Sequence, residues 1–317
     1  MPRREARALG AISAAIIGLF ACTPQDRVVG VEPLVGPDAS SADGATTDAG
    51  LGTPTYRTDF DDSANWTSDS HLPGASTSFG VPIAGANDPS TAELRFPGHP
   101  EYAATDNAGP SDLTEIDSPQ RFSFGTFRTR LQFGSCMPSE DAVNAAIGYF
   151  NDGKDTNQNG ITDDLEIDFQ VLCGTPQYVS LTVFTDNQDN PPAFRKLARV
   201  IDFSSGDYWD TPSASQEGFT MTRNSAAFTH PELFDSSAFY EIGFEWHADS
   251  LRFFIALDGA DLELWTLSDA AHIPQEPLSF IYNAWHPATH WFPVTGAANF
   301  PANDVVMHID WFEYFAE

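Results

Sequence analysis

From Tyr56 onward, apolar and polar residues alternate in short runs, and each run stops at a cluster of Gly, Pro, Asn, Asp or Ser. Alternation puts successive side chains on opposite faces of an extended chain, so the runs predict half-buried β-strands. They fall at 56–60, 91–96, 122–133, 145–150, 165–173, 178–185, 198–203, 239–246, 251–257, 278–285 and 305–315. No stretch sustains a 3.6-residue period; 194–199 reads as a helical turn at most, and 274–277 and 287–301 read as loops. Many strands and almost no helix predict an all-β sandwich or barrel over 56–317. Aromatic residues are 13% of the chain, 25 of them Phe, enough buried ring surface for a sizeable core.

The pattern is different before Tyr56. Residues 23–55 are dominated by Ala, Ser, Gly, Asp, Pro and Thr, a composition that cannot bury enough apolar surface to offset chain entropy, so 22–55 reads as a flexible tether. Residues 1–21 open with Arg3, Arg4 and Arg7, continue through an apolar run and end at Ala21, which predicts a secretory signal too short to span a bilayer. Leu19-Phe20-Ala21-Cys22 resembles a bacterial lipobox, which implies lipidation at Cys22 and an exported protein anchored to a membrane of the cell envelope, at the outer membrane or cell surface. The alternative is an ordinary signal followed by an incidental cysteine.

Charge narrows the partners. The formal net charge is −30, and loss of the signal would make it more negative. Nucleic-acid binding rests on phosphate neutralisation, so nucleic acid is excluded as a partner and a neutral polymer fits better. Cys136 and Cys173 remain as the two other cysteines; in an oxidising compartment they predict one disulfide, against the alternative of two buried thiols.

The most informative strand is Glu166-Ile167-Asp168-Phe169-Gln170-Val171. Alternation sends Glu166, Asp168 and Gln170 to one face and the apolar residues to the other. On spacing alone this also describes an ordinary solvated strand face. The segment is, however, similar to the Glu-x-Asp-x-Glu signature of glycoside hydrolase family 16, the laminarinase, lichenase and agarase group. Phe124-Gly-Thr-Phe-Arg-Thr-Arg130, Tyr240-Glu-Ile-Gly-Phe-Glu-Trp246, Ile281-Tyr-Asn-Ala-Trp285 and Ile309-Asp-Trp-Phe-Glu-Tyr314 resemble further strands of that family, in the same order.

The resemblance implies a concanavalin A-like, glucanase-type β-jelly-roll sandwich of two curved antiparallel sheets, acting as a monomer on a polysaccharide. It implies a retaining, endo-acting β-glycoside hydrolase for β-glucan or galactan, needing no catalytic cofactor, with Glu166 as nucleophile and Asp168 as its neighbour. The acid/base position is Gln170, the main departure: a carboxamide has no proton to release near neutral pH, so hydrolysis would be weak and a non-catalytic, lectin-like surface protein becomes the alternative. Asn283, Trp285 and Trp246 are the expected sugar-binding residues, with Trp209, Trp291 and Tyr282 as further candidates; tryptophans in sandwiches are also common core residues. Asp155, Asn157, Asn159 and Asp163 sit at alternate positions around Gly160 as in a calcium loop, or else only shape a polar hairpin. Asp310 is a second candidate for structural calcium, implied by the resemblance.

Overall fold

The structure, a computed structural model, describes residues 51–317 apart from 63–65, 88–89, 103–112, 157, 175–177, 190–191, 212–221, 225–234 and 288–295. The expected signal, Cys22 and most of the tether lie outside the described residues, as do Asn157 and Trp291. The described residues form β1 (Tyr56–Thr58), β2 (Thr67–Ser70), β3 (Ser76–Val81), β4 (Thr91–Phe96), β5 (Leu113–Phe122), β6 (Gly125–Gln132), β7 (Val143–Asn151), β8 (Asp164–Leu172) and β9 (Tyr178–Asp189). They continue through β10 (Pro192–Asp202), β11 (Tyr208–Asp210), β12 (Thr222–Asn224), β13 (Tyr240–Trp246), β14 (Leu251–Leu257), β15 (Ala260–Leu267), β16 (Leu278–Trp285) and β17 (Val305–Ala316). One 3₁₀ turn, Ala270–His272, separates β15 from β16.

Two antiparallel sheets result. One runs β15-β14-β13-β6-β17-β4-β3, with β1 also on β17; the other runs β12-β11-β10-β9-β8-β7-β16-β5-β2. Strands distant in sequence are neighbours, β6 beside both β13 and β17 and β16 between β7 and β5, which is the connectivity of a jelly roll. The expected all-β sandwich is present.

The core lies between the sheets and is strongly aromatic. Phe127 of β6 stacks on Phe244 with ring centroids 4.7 Å apart and meets Phe280 of the opposite sheet at 5.9 Å, while Phe280 and Phe312 approach to 4.4 Å. Ile167, Phe169 and Val171, the apolar face of β8, point into this core. Burying each such side chain contributes roughly 1.5–3 kcal/mol. Tyr282 crosses the layer to Thr129 at 2.6 Å, and Thr129 in turn donates to the Trp311 carbonyl at 2.8 Å. Tyr282 is therefore a core residue, not a sugar platform.

Two departures from the sequence pattern shape the nine-stranded sheet. Residues 194–199 are not a helical turn but part of β10, paired along β9 with a bulge between Arg195 and Lys196. Strand β5 tolerates Pro119, which has no N–H for a ladder, because the pairing with β16 shifts register between Ser279 and Ile281. There Ser118 Oγ accepts from Phe280 N at 2.8 Å and replaces the missing rung.

Cys136, in the β6–β7 connection, is bonded to Cys173 at the end of β8, with Cα atoms 5.3 Å apart. Cys173 N donates to Ala142 O at 3.0 Å and Gly174 N to Asp141 Oδ1 at 3.0 Å. A Cβ at Gly174 would lie 1.9 Å from the Glu140 carbonyl, so only glycine fits this close approach.

Candidate active site

Strand β8 pairs with β7 without interruption from Val143↔Leu172 to Asn151↔Asp164. Unbroken pairing keeps the two-residue period, so Asp164, Glu166, Asp168 and Gln170 share the face turned away from the inter-sheet core. The neighbouring strands extend this face in register. Tyr149, Ile147 and Ala145 of β7 lie opposite Glu166, Asp168 and Gln170; Ser279, Ile281 and Asn283 of β16 lie opposite those three, with Trp285 beyond; Glu115 of β5 lies opposite Asn283.

This outer face is not an ordinary solvated one. Its apolar members Leu113, Val143, Ala145, Ile147, Leu172, Ile281 and Trp285 form a hydrophobic cluster separate from the inter-sheet core. Glu166 is 4% exposed, Asp168 1%, Gln170 5% and Asn283 2%, so the polar row is buried as well. A buried carboxylate costs free energy unless it is paired or protonated. Glu166 and Asp168 meet this by hydrogen-bonding each other, and burial, the largest cause, pushes the pKa of Glu166 well above the carboxylate range, with the charges of Asp168 and Asp164 adding to it. Burial likewise takes Asp168 up to about 8. The pair therefore holds a proton at neutral pH and titrates as a unit. Tyr149 is raised in the same way, by burial first and then by Asp164 and Glu166.

Of the expected sugar-binding residues, Asn283 and Trp285 join the carboxyl row two strands away. Asn283 Nδ2 donates to Glu115 Oε2 at 3.2 Å, while Asn283 Oδ1 and Asp168 Oδ1 have no hydrogen-bond partner among the described residues. Trp246 does not join them. It belongs to β13 in the other sheet, is fully buried in the inter-sheet core, and donates its Nε1–H to the Pro274 carbonyl at 2.9 Å. Trp209 lies on β11 beside the edge of the carboxyl-bearing sheet, with its ring 6.5 Å from that of Tyr178.

Sequence reasoning places Asp164 in the loop before β8, whereas it is the first residue of that strand, and misses Glu115, Tyr149 and Lys196. The first three were open to the parity of β8, β5 and β7. Lys196 was not, because the sequence reads 194–199 as a helical turn and not as the strand whose alternation sets its direction. Its ammonium lies 4.8 Å from the centroid of the Phe184 ring. Desolvation lowers its pKa to about 8, against Glu166 and Asp168, whose charges raise it.

The two candidate cation sites differ. In the β7–β8 hairpin, Asp155 accepts from Asn159 N at 3.0 Å and Gly160 N at 2.8 Å, Asn159 Oδ1 accepts from Ile161 N at 2.9 Å, and Asp163 Oδ2 accepts from Thr156 N at 2.6 Å. These contacts shape the turn. At Asp310 the residues present do not fit a bound cation, because the Arg130 guanidinium pairs with the fully buried Asp310 carboxylate and also donates to the Gly85 carbonyl at 2.9 Å. Asn87 N donates to the same carboxylate at 2.8 Å. Among the described His, Cys, Asp and Glu, the group close enough to share a metal is Cys136, Asp141 and Cys173, whose sulfurs are joined in the disulfide.

No protein-family model and no curated protein matches the sequence. Among solved structures the chain is similar to LamAcat from Zobellia galactanivorans, with 13% identity, 85% of this chain and 100% of that chain covered, and a TM-score of 0.50. It is equally similar to the Crh5 transglycosylase in complex with NAG, with 16% identity, 82% and 83% covered, and a TM-score of 0.50. The Bacillus licheniformis beta-glucanase aligns over 83% of this chain and 98% of its own at 12% identity and a TM-score of 0.48. At these identities what is shared is the fold, the glucanase-type, concanavalin A-like jelly roll that the family 16 resemblance implies.

Proposed function

We propose that the carboxyl-bearing face of the nine-stranded sheet recognises a neutral polysaccharide, and that the chain is a retaining, endo-acting β-glycoside hydrolase of the family 16 type impaired at its acid. The observation that carries this is the placement of Glu166, Asp168 and Gln170 on one face of an unbroken strand, with Asn283 and Trp285 on the same face. On this reading the Glu166 carboxylate attacks the anomeric carbon, Asp168 hydrogen-bonds it, and the departing oxygen requires a proton from position 170. Gln170 can donate a hydrogen bond but not that proton. A structure that shares the fold at a TM-score of 0.50 is described as a transglycosylase in complex with NAG, which supports a glycan as the class of ligand.

A second reading, a non-catalytic glycan-binding protein, is favoured by the burial of the pair. A protonated Glu166 is not a nucleophile, and its pKa is raised well above the carboxylate range. One substitution separates the two. Gln170→Glu should raise release of reducing sugar from a neutral β-glucan or galactan by about 10²-fold or more while changing affinity far less. Binding by the parent without any gain of cleavage in Gln170→Glu leaves the binding reading standing and removes the hydrolase reading.

The exported, lipid-anchored setting belongs to the same proposal and rests on Leu19-Phe20-Ala21-Cys22. For calcium we propose the 155–163 hairpin rather than Asp310, with a structural role.

A further inference from the structure

We infer that Lys196 is the positioning residue of the Glu166–Asp168 pair, an ammonium set on the face of the β8 carboxyls by the alternation of β10. The register carries this. Lys196 lies opposite Phe184 of β9, and Phe184 lies opposite Glu166 of β8, so the three residues form one row across three strands. The row opens a regular stretch of pairing that runs from Lys196↔Phe184 to Asp202↔Tyr178. Within it Leu197 and Ile201 pack into the inter-sheet core, so alternation sends Lys196 to the opposite face, the one that carries the carboxyls. Just beyond Lys196 the pairing jumps to Arg195↔Asp186, with Thr185 of β9 as the extra residue, so the row stands at the bulged end of the regular pairing.

The surroundings explain why one cation there matters. Strands β7, β8 and β16 contain no lysine or arginine. The groups that face Glu166 are Asp164 and Asp168 from its own strand, Tyr149 from β7 and Lys196 from β10. Strand β9 contributes Phe184, Thr182 and Ser180, which carry no charge. Lys196 is thus the positive group set against a buried acidic row, and its contact with the Phe184 ring fixes where the ammonium can sit. Its charge favours the ionised form of both carboxyls. An ionised Glu166 is what nucleophilic attack requires, so the catalytic consequence rests on the hydrolase reading proposed above, whereas the electrostatic role does not.

The test therefore needs no glycan. Protein labelled with ¹³C at Glu and Asp side-chain carboxyls is titrated by NMR, with Glu166→Gln and Asp168→Asn assigning the pair. Lys196→Met should move the midpoint of the pair upward from the parent value, and Lys196→Arg should restore it, with circular dichroism unchanged in both. A folded Lys196→Met with an unmoved midpoint overturns the inference. Should Lys196→Met not fold, parent and Glu166→Gln proteins are reductively methylated with ¹³C-formaldehyde and the Lys196 resonance is titrated. Loss of the Glu166 charge should lower its midpoint; an unchanged midpoint overturns the inference equally. Failure of the glycan reading would show separately, as absence of polysaccharide binding by a parent protein whose carboxyl titration still depends on Lys196.

Discussion

At Asp310 a single side chain decides which cation neutralises a buried carboxylate. The resemblance to glucanases implies an aspartate here that holds calcium, yet Arg130 delivers a guanidinium to that carboxylate and to the Gly85 carbonyl, two oxygens a metal ion would use. The guanidinium also lies 4.7 Å from the centroid of the Phe239 ring, which holds it in place. Removing one partner of a buried pair leaves an uncompensated charge and costs about 3–5 kcal/mol. Arg130→Ala should lose that much stability in denaturant unfolding, and millimolar calcium should raise its melting temperature more than it raises that of the parent. Equal calcium responses in both proteins would mean that the ion acts elsewhere, with the 155–163 hairpin the first place to look.

At the scale of strands, what was legible followed parity, and what was not depended on breaks in it. Strand β8 was readable because it is regular over its whole length, and its polar and apolar faces are where alternation put them. Strand β5 is not legible, the predicted run 122–133 being β6 with only Phe122 of β5, because Glu115 and Asp117 break the apolar alternation and Pro119 contradicts a strand until the register shift opposite it is known. The segment 194–199 reads as a turn because its charges fall on both parities, Lys196 with Ala198 and Val200, and Arg199 with Leu197 and Ile201, so no apolar alternation shows. The sequence offers Trp246 for sugar binding although it shares parity with Ile242 and Phe244; that both sheets bury one face is legible, but not which sheet carries the carboxyls. The covalent tie between elements was legible from composition and compartment. Cys136–Cys173 fixes the end of β8 to the β6–β7 connection with a sequence separation of 37, which on the chain-entropy model is worth roughly 3–4 kcal/mol. The double Cys→Ser variant should be less stable by that amount, and the unreduced, denatured parent should show no thiol reactivity at these two positions. Two labelled thiols there would refute the bond.

For the molecule as a whole, a net charge of −30 and a buried carboxyl pair act on stability in the same direction but respond differently to salt. The described arginines do little to offset the surplus at long range, because Arg57, Arg95, Arg128, Arg130, Arg199 and Arg252 each sit against carboxylates. Self-repulsion among exposed acids therefore grows as pH rises, and at about 0.15 M ionic strength it is screened beyond roughly 8 Å. The buried pair is a separate contribution. Asp168 titrates at about 8 in the folded chain, against roughly 3.9 unfolded. Between those values the folded state binds the extra proton, so this stabilisation is complete below about pH 4 and is lost as pH rises through 8. One proton in that window costs at most about 1.4 kcal/mol per pH unit. Lys196, lowered to about 8, works in the opposite sense above that pH, since there the unfolded state binds more protons. Melting curves from pH 5 to 9.5 should therefore fall towards pH 8 and level or recover beyond it. Raising NaCl from 0.05 to 0.5 M should lift the whole curve while leaving part of the slope between pH 5 and 8. Asp168→Asn should reduce that salt-resistant part, and Asp168→Asn combined with Glu166→Gln should remove it, because both carboxyls are raised by burial and an amide does not titrate. A slope that disappears entirely in high salt in the parent would assign the pH dependence to the surface alone, and would mean that the Glu166–Asp168 pair is more accessible to water than its burial implies.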